Sequence, residues 1–353
     1  MRSNAVVVRK SNSYGTDVRA VKLFFDTERN VALDRIDFRP SEATHLIETG
    51  DSLYSAMVFA GLENENPAHA VARLADGDPF LVQGVEKEHV VSALPEEQSR
   101  CSLPLRTFPA QHGRTNPEVT PNTHPSCFIP ISEQPAMWLF NERFSPPYFT
   151  YVVEQTGESY RSYPLPQSTR EDLRRQRPRL YEQIQRYNSD RWQPRIQEWI
   201  EAHVTQGNRF WFGKGFYDGE GYLGVGAFGY FDFIDRTYTL FSPSAIADWS
   251  ASAILVEDDS IWVGLVRHPE GADHSGGLLQ YDRGEGHSAV LPVGHVISGI
   301  RRFNGRLYAG ASEGRIYLIS GDDIAASYVV EPALGGGFEI HMNTTVANAE
   351  FRP

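Results

Sequence analysis

Between residues 267 and 274 the chain reads Arg267-His-Pro-Glu-Gly-Ala-Asp-His274, which sets two imidazoles and two carboxylates in one short polar segment. His268, Glu270, Asp273 and His274 offer the nitrogen and oxygen donors that hold a divalent cation such as Ca, Mg or Zn, and the same groups serve as general acid and base. A second polar segment, after Trp211, carries Lys214, Tyr217, Asp218 and Glu220, while Asp248, Trp249, Ser250 and His295 precede apolar runs. Among these, Asp218, Glu220, Trp249, Arg267 and His295 are the candidates for ligand binding, with Trp249 as an aromatic face on which a sugar or a peptide side chain stacks. Polar residues are also the ordinary content of surface loops, so spacing alone does not separate a site from a solvated turn.

The elements that would position these residues repeat. Asn208-Arg-Phe-Trp-Phe-Gly213, Asp259-Ser-Ile-Trp-Val-Gly264 and Gly305-Arg-Leu-Tyr-Ala-Gly310 each set a polar turn before a strand with a large aromatic and a glycine. They stand about 50 residues apart, a period typical of repeat architectures. Behind them lie a strand closing on an aromatic and an acid and then a further strand, as in Leu279-Gln-Tyr-Asp282 followed by Ala289-Val-Leu-Pro292. Four short strands per repeat, rich in β-branched and aromatic residues, predict an all-β fold, a β-propeller. In that fold the loops between second and third strands, and the connections from blade to blade, share one face. Trp211, Trp262 and Tyr308 occupy equivalent strand positions, so packing between blades accounts for them without a ligand.

Weaker copies run from Thr44 to Gln83 and from Cys127 to Pro166. Ala5–Val8, Val21–Phe25 and Val31–Phe38 read as three strands without a first, and the tail from Gly337 to Phe351 is expected to supply it. The reading is a single propeller over 1–353 with six four-stranded blades, its ring closed by N- and C-terminal strands so that no sheet edge is left open. Residues 86–125 form a seventh, degraded blade or a long loop; six prolines there argue against strands. One stretch is helical: Ser168-Thr-Arg-Glu171 resembles a capping box, and Pro178 and Pro194 divide the stretch into short helices. This insertion, 168–197, holds eight arginines against four acids over 170–195, inside a chain of net charge −12. It is a docking surface for an acidic partner or an ordinary solvated helical face.

Several classes are excluded or disfavoured. The acidic balance disfavours nucleic acid. No apolar run is long enough to span a membrane and no signal-length apolar segment opens the sequence, so the expected compartment is the cytoplasm. Gly219-Glu-Gly-Tyr-Leu-Gly224 matches a dinucleotide-binding string, but it runs on into an aromatic strand instead of a helix, so its glycines serve a loop between second and third strands. His203 and His341 fall in strands and are expected to be packed. Cys101 and Cys127 are either bridged across the proline-rich segment or two separate thiols.

Ile261-Trp-Val-Gly264, Gly276-Gly-Leu278 and Tyr281-Asp282 resemble the blades of bacterial sensor propellers of the two-component-regulator type, and the resemblance extends over about 198–331. It implies a propeller with a ligand site on one face, and carries over no catalytic residue. Two functions are the expectations. One is a module binding a protein, peptide or glycan through the loops of that face. The other is a metal-assisted lyase or hydrolase using His268, Glu270, Asp273 and His274.

Overall fold

The computed structural model describes residues 3–10, 19–26, 31–38, 43–59, 68–74, 78–94, 128–142, 149–157, 159–176, 178, 181–182, 198–216, 224–267, 275–321, 323–333 and 337–342. These form two compact units, one built from Met1–Leu94 with Glu257–Pro353 and the other from Pro95–Val256. The chain passes from the second back to the first in the turn after Val256.

The discontinuous unit opens with β1 (Ser3–Lys10), β2 (Arg19–Asp26) and β3 (Val31–Phe38), a three-stranded antiparallel sheet. Next come β4 (Thr44–Thr49), β5 (Ser52–Phe59), β6 (Ala68–Leu74) and β7 (Phe80–Leu81), paired in sequence order. The helix α1 (Gly84–Ser92) comes next, so the first residues of the proline-rich stretch are helical and not a strand. The contiguous unit holds β8 (Phe128–Ser132), β9 (Met137–Glu142), β10 (Phe149–Thr156) and β11 (Ser159–Pro164), then α2 (Arg170–Gln176). After it come β12 (Trp199–Gln206), β13 (Arg209–Gly215), β14 (Phe228–Asp232) and β15 (Thr237–Phe241), and last β16 (Ser250–Val256) beside β12 and β13. Back in the first unit lie β17 (Ser260–Arg267), β18 (Ser275–Asp282) and β19 (Ser288–Pro292). The chain then forms β20 (Ile297–Phe303), β21 (Arg306–Ala311), β22 (Arg315–Ser320), β23 (Asp323–Pro332) and β24 (Phe338–Met342). Within each sheet consecutive strands are antiparallel neighbours, which is the meander of a propeller blade.

The turns explain the pairing. Asn304 and Gly305 take φ of 48° and 76°, the left-handed pair that a two-residue hairpin needs to match strand twist, and so β20 and β21 align from Phe303↔Arg306 outward. Two of the glycines closing the aromatic strands have a packing reason. A Cβ on Gly213 would stand 2.3 Å from that of Ala251, and one on Gly310 would stand 2.5 Å from the Thr44 carbonyl oxygen. Only glycine lets the neighbouring first strand come so near. Trp211, Trp262 and Tyr308 are buried, as expected of packing residues. Trp211 lies 4.6 Å from the Tyr230 ring, and Trp262 Nε1 donates to Glu257 at 2.9 Å.

Apolar side chains on alternate strand positions make the cores. Leu46, Leu53, Met57, Tyr308, Ile316 and Val330 cluster in the first unit, and Met137, Leu139, Val152, Phe210, Phe212 and Phe231 in the second. Each such burial contributes about 1.5–3 kcal/mol.

Three expectations need correction. The C-terminal strand does not complete the sheet of β1–β3: β24 pairs with β23, from Tyr328↔Met342 to Pro332↔Phe338. Gly337, at φ 80°, returns the chain at once, and a short hairpin loop is entropically cheaper to close than a long return. The capping box sits one residue later than read. Thr169 Oγ1 accepts from the Asp172 amide at 3.0 Å, while the Thr169 amide donates to Asp172 Oδ2 at 3.3 Å. The histidines read as packed are exposed: His203 rests on the Phe210 ring at 5.5 Å, and His341, 51% exposed, stands 3.2 Å from Glu339. Both point from the solvent side of the pleat, where alternation alone does not tell an inward histidine from an outward one.

A brace in the contiguous unit makes its stability pH-dependent. Glu154 accepts from Arg236 Nε at 3.1 and 3.0 Å and from the Tyr163 hydroxyl at 2.7 Å. The Arg236 guanidinium holds the Glu154 carboxyl below its ordinary range, against the pull of burial, and Tyr163 adds to the effect. A folded value below the unfolded one gives a contribution complete above about pH 4.5 and lost as pH falls through the folded value. Glu154→Gln is therefore expected to flatten the loss of urea stability between about pH 5 and 3. A variant as acid-sensitive as the parent would remove Glu154 from the acid response.

Candidate functional site

The residues that converge lie at one end of the strands β17 to β22. In an antiparallel meander, the turn between second and third strands and the connection into the next first strand fall at the same end. The segment between β19 and β20 is tied there by its backbone: Val293 and Gly294 amides both donate to the Gly276 carbonyl at 3.1 Å. The Ser312 amide donates to the Val296 carbonyl at 2.8 Å, and the Val296 amide donates back to Ser312 Oγ at 3.2 Å. A bulge between Ile297 and Gly299 turns the Ser298 hydroxyl to the Thr44 carbonyl, 3.1 Å away.

These ties hold His295 over the turn that carries Glu313. The imidazole Nδ1 stands 2.9 Å from the Val293 carbonyl and 2.8 Å from the Tyr317 hydroxyl, and Nε2 stands 3.4 Å from Glu313 Oε2. Arg315 Nε lies 4.0 Å from the same carboxylate oxygen. The side chains of His295, Glu313 and Arg315 are 18%, 25% and 15% exposed, and Tyr317 is fully buried. Burial pushes the Tyr317 phenol well above its ordinary range; Arg315 opposes that shift and Glu313 adds to it. With its proton on Nε2, the ring donates to Glu313 and accepts from Tyr317. With the proton on Nδ1, it donates to the Val293 carbonyl. His295 is thus a reversible donor and acceptor between a carboxylate and a phenol.

Glu313 and Gly314 take φ of 63° and 69°, a left-handed pair like that at Asn304-Gly305, as the turn from β21 to β22 requires. One feature of this group asks for a reason beyond folding. Arg315 Nε and Nη1 are buried and have no hydrogen-bond partner among the described residues. Native structures rarely leave such donors unanswered.

The contiguous unit repeats the backbone arrangement with different chemistry. The Gly226 amide donates to the Trp249 carbonyl at 2.9 Å, and a Cβ on Gly224 would fall 1.6 Å from that carbonyl, as one on Gly276 would fall 1.6 Å from the carbonyl of His295. Trp249 and His295 therefore hold equivalent positions just before a first strand, Trp249 half-buried. Gly224 leads into the strand β14 and not a helix; Gly219 and Gly221 of the glycine string lie outside the described residues.

Lys214, at the end of β13, is turned inward. Its Nζ stands 2.9 Å from Glu198 Oε2 and donates to the Pro166 carbonyl at 2.8 Å. Glu198 also takes the Ser168 amide at 2.6 Å, so the pair is satisfied and pins the connection that carries α2. On α2 itself, Arg174 and Arg175 are exposed.

Of the candidates read from sequence, the structure brings His295 into the cluster and sets Arg267, half-buried, at the end of β17 opposite Ser275. Asp218, Glu220, His268, Glu270, Asp273, His274, Cys101 and Cys127 lie outside the described residues. Among the described residues no group of three or more His, Cys, Asp and Glu is placed to hold a metal ion. No helix among them is long and apolar enough to cross a membrane. Glu313, Arg315 and Tyr317 were missed, although Arg315 and Tyr317 fall two positions apart on β22 and so share one of its faces, and Glu313 belongs to the turn that leads into it.

The sequence matches no protein-family model and no curated protein. Solved structures similar to it include the extracellular domain of the one-component system BT4673 from B. thetaiotaomicron, at 10% identity and a TM-score of 0.32 over 96% of this chain and 44% of that one. They include the GH43 β-1,3-galactosidase BT3683, at 9% identity and a TM-score of 0.35 over 90% and 96%. A third is the β-propeller domain of the trilobed protease of Pyrococcus furiosus, at 10% identity and a TM-score of 0.30 over 99% and 91%. This chain thus spans less than half of the BT4673 domain.

Proposed function

We propose that the protein is a ligand-binding propeller module whose recognition surface is formed by His295, Glu313 and Arg315, at the connection into β20 and the turn after β21. The observation that carries this reading is the convergence of three part-exposed side chains: His295 Nε2 and Arg315 Nε stand 3.4 and 4.0 Å from the same Glu313 carboxylate oxygen. The test is a thermal-shift screen of peptides, anions, amines and glycosides against the parent, Glu313→Gln and Arg315→Met. Compounds that raise the parent's Tm and lose that effect in both variants are the expected result. A set of stabilising compounds indifferent to both variants would end the reading.

A metal-assisted lyase or hydrolase remains the second reading, with His268, Glu270, Asp273 and His274 around Ca, Mg or Zn. It is favoured by one contact: Gly276, two residues beyond that segment, packs directly on the His295 backbone. Stoichiometric metal in the purified protein, lost in a His268→Ala/His274→Ala variant, would move the assignment to this class.

A further inference from the structure

Resting on the binding reading, we propose that the ligand is an uncharged polyhydroxylated molecule, a neutral sugar or polyol. The inference comes from opposite charges held side by side without closing on each other. Arg315 Nε and Glu313 Oε2 are 4.0 Å apart, too far for a hydrogen bond, and the same oxygen is 3.4 Å from His295 Nε2. An anion seated on the Arg315 donors comes against the Glu313 carboxylate, and a cation seated on Glu313 comes against the guanidinium. Either meets a like charge in a partly desolvated place, where repulsion is weakly screened.

A hydroxyl has no such conflict, since it donates one hydrogen bond and accepts others. Neighbouring hydroxyls on one carbon frame can accept from Arg315 and donate to Glu313 together. His295 suits the same ligand, because it exchanges donor for acceptor through the Tyr317 hydroxyl, 2.8 Å from Nδ1. A surface built to hydrogen-bond hydroxyls also discriminates, because an analogue lacking one leaves a charged partner unanswered.

The test is a saturation-transfer NMR titration with methyl glucoside, methyl galactoside and methyl mannoside, each beside its uronate and its amino-sugar counterpart. At least one neutral glycoside is expected to bind, with its two charged counterparts weaker by roughly tenfold or more. Glu313→Gln is expected to weaken the neutral glycoside by roughly 10- to 100-fold and to narrow the gap to the uronate. Arg315→Lys, which keeps the charge, weakens it similarly; the Tm of each variant shows that it is folded. Uronates or amino sugars that bind as well as the neutral sugar overturn the inference, as does glycoside binding that ignores Glu313→Gln. If no glycoside binds while a charged or peptidic compound from the screen binds and depends on Glu313, the polyol inference fails and the binding reading stands. If no compound of any class depends on Glu313 or Arg315, both fail.

Discussion

Lys214→Met is expected to lower stability by about 3–5 kcal/mol, because it leaves the Glu198 carboxylate buried without its counter-charge. The two side chains are 1% and 0% exposed, so no water replaces the lost ammonium, and the Pro166 carbonyl loses its donor in the same step. Glu198→Gln should cost a comparable amount from the other side, stranding the ammonium while Gln keeps an acceptor for the Ser168 amide. The double variant removes both charges, and its cost is expected to fall short of the sum by about 2 kcal/mol, since residues in one buried network are coupled. Urea denaturation of the four proteins measures this, and strict additivity would mean that the pair does not act as a unit.

Gly276→Ala should be nearly as damaging and should remove binding as well. The added Cβ falls 1.6 Å from the His295 carbonyl oxygen and 2.6 Å from the Val296 nitrogen, both backbone atoms with no rotamer to escape into. Relief requires moving the connection that holds His295, which breaks the two hydrogen bonds that Val293 and Gly294 make to Gly276. Overpacking of this kind costs about 3 kcal/mol, roughly 6–12 °C in Tm for a unit of this size. Gly294→Ala is the comparison: its φ is 74° but nothing lies within 4 Å, so only the backbone penalty of about 1–2 kcal/mol applies. Equal Tm losses for the two would show that the close approach at Gly276 is relieved elsewhere.

The strands were legible because their signals are local. Period-two alternation and the recurring order of polar turn, aromatic strand and glycine are read within a few residues. The features that escaped depend on partners far along the chain. Nothing around Glu198 announces a buried carboxylate, because its burial is decided by Lys214 and Ser168. His295 was legible as a polar residue before a first strand, but its partners come from a turn that reads as an ordinary solvated loop. The tail was assigned to the wrong sheet because any amphipathic strand fits any open edge, and the choice of β23 was made by a hairpin at Gly337. The capping box slipped by one residue because Ser168 and Thr169 are equally good caps; Glu198 takes the first and leaves the second to Asp172.

The discontinuous unit has a consequence for how the protein is made. Thr44 donates its hydroxyl hydrogen bond to Ala311, 267 residues later, and Tyr328 reaches back 250 residues to Asp78. At roughly 5–20 residues per second, β4 leaves the ribosome about 13–53 s before its partner exists. Residues 95–256 need no such wait, since they emerge in one piece. Biogenesis therefore runs inside out along the gene: residues 95–256 are all made before the segment that answers Thr44 and Asp78 arrives.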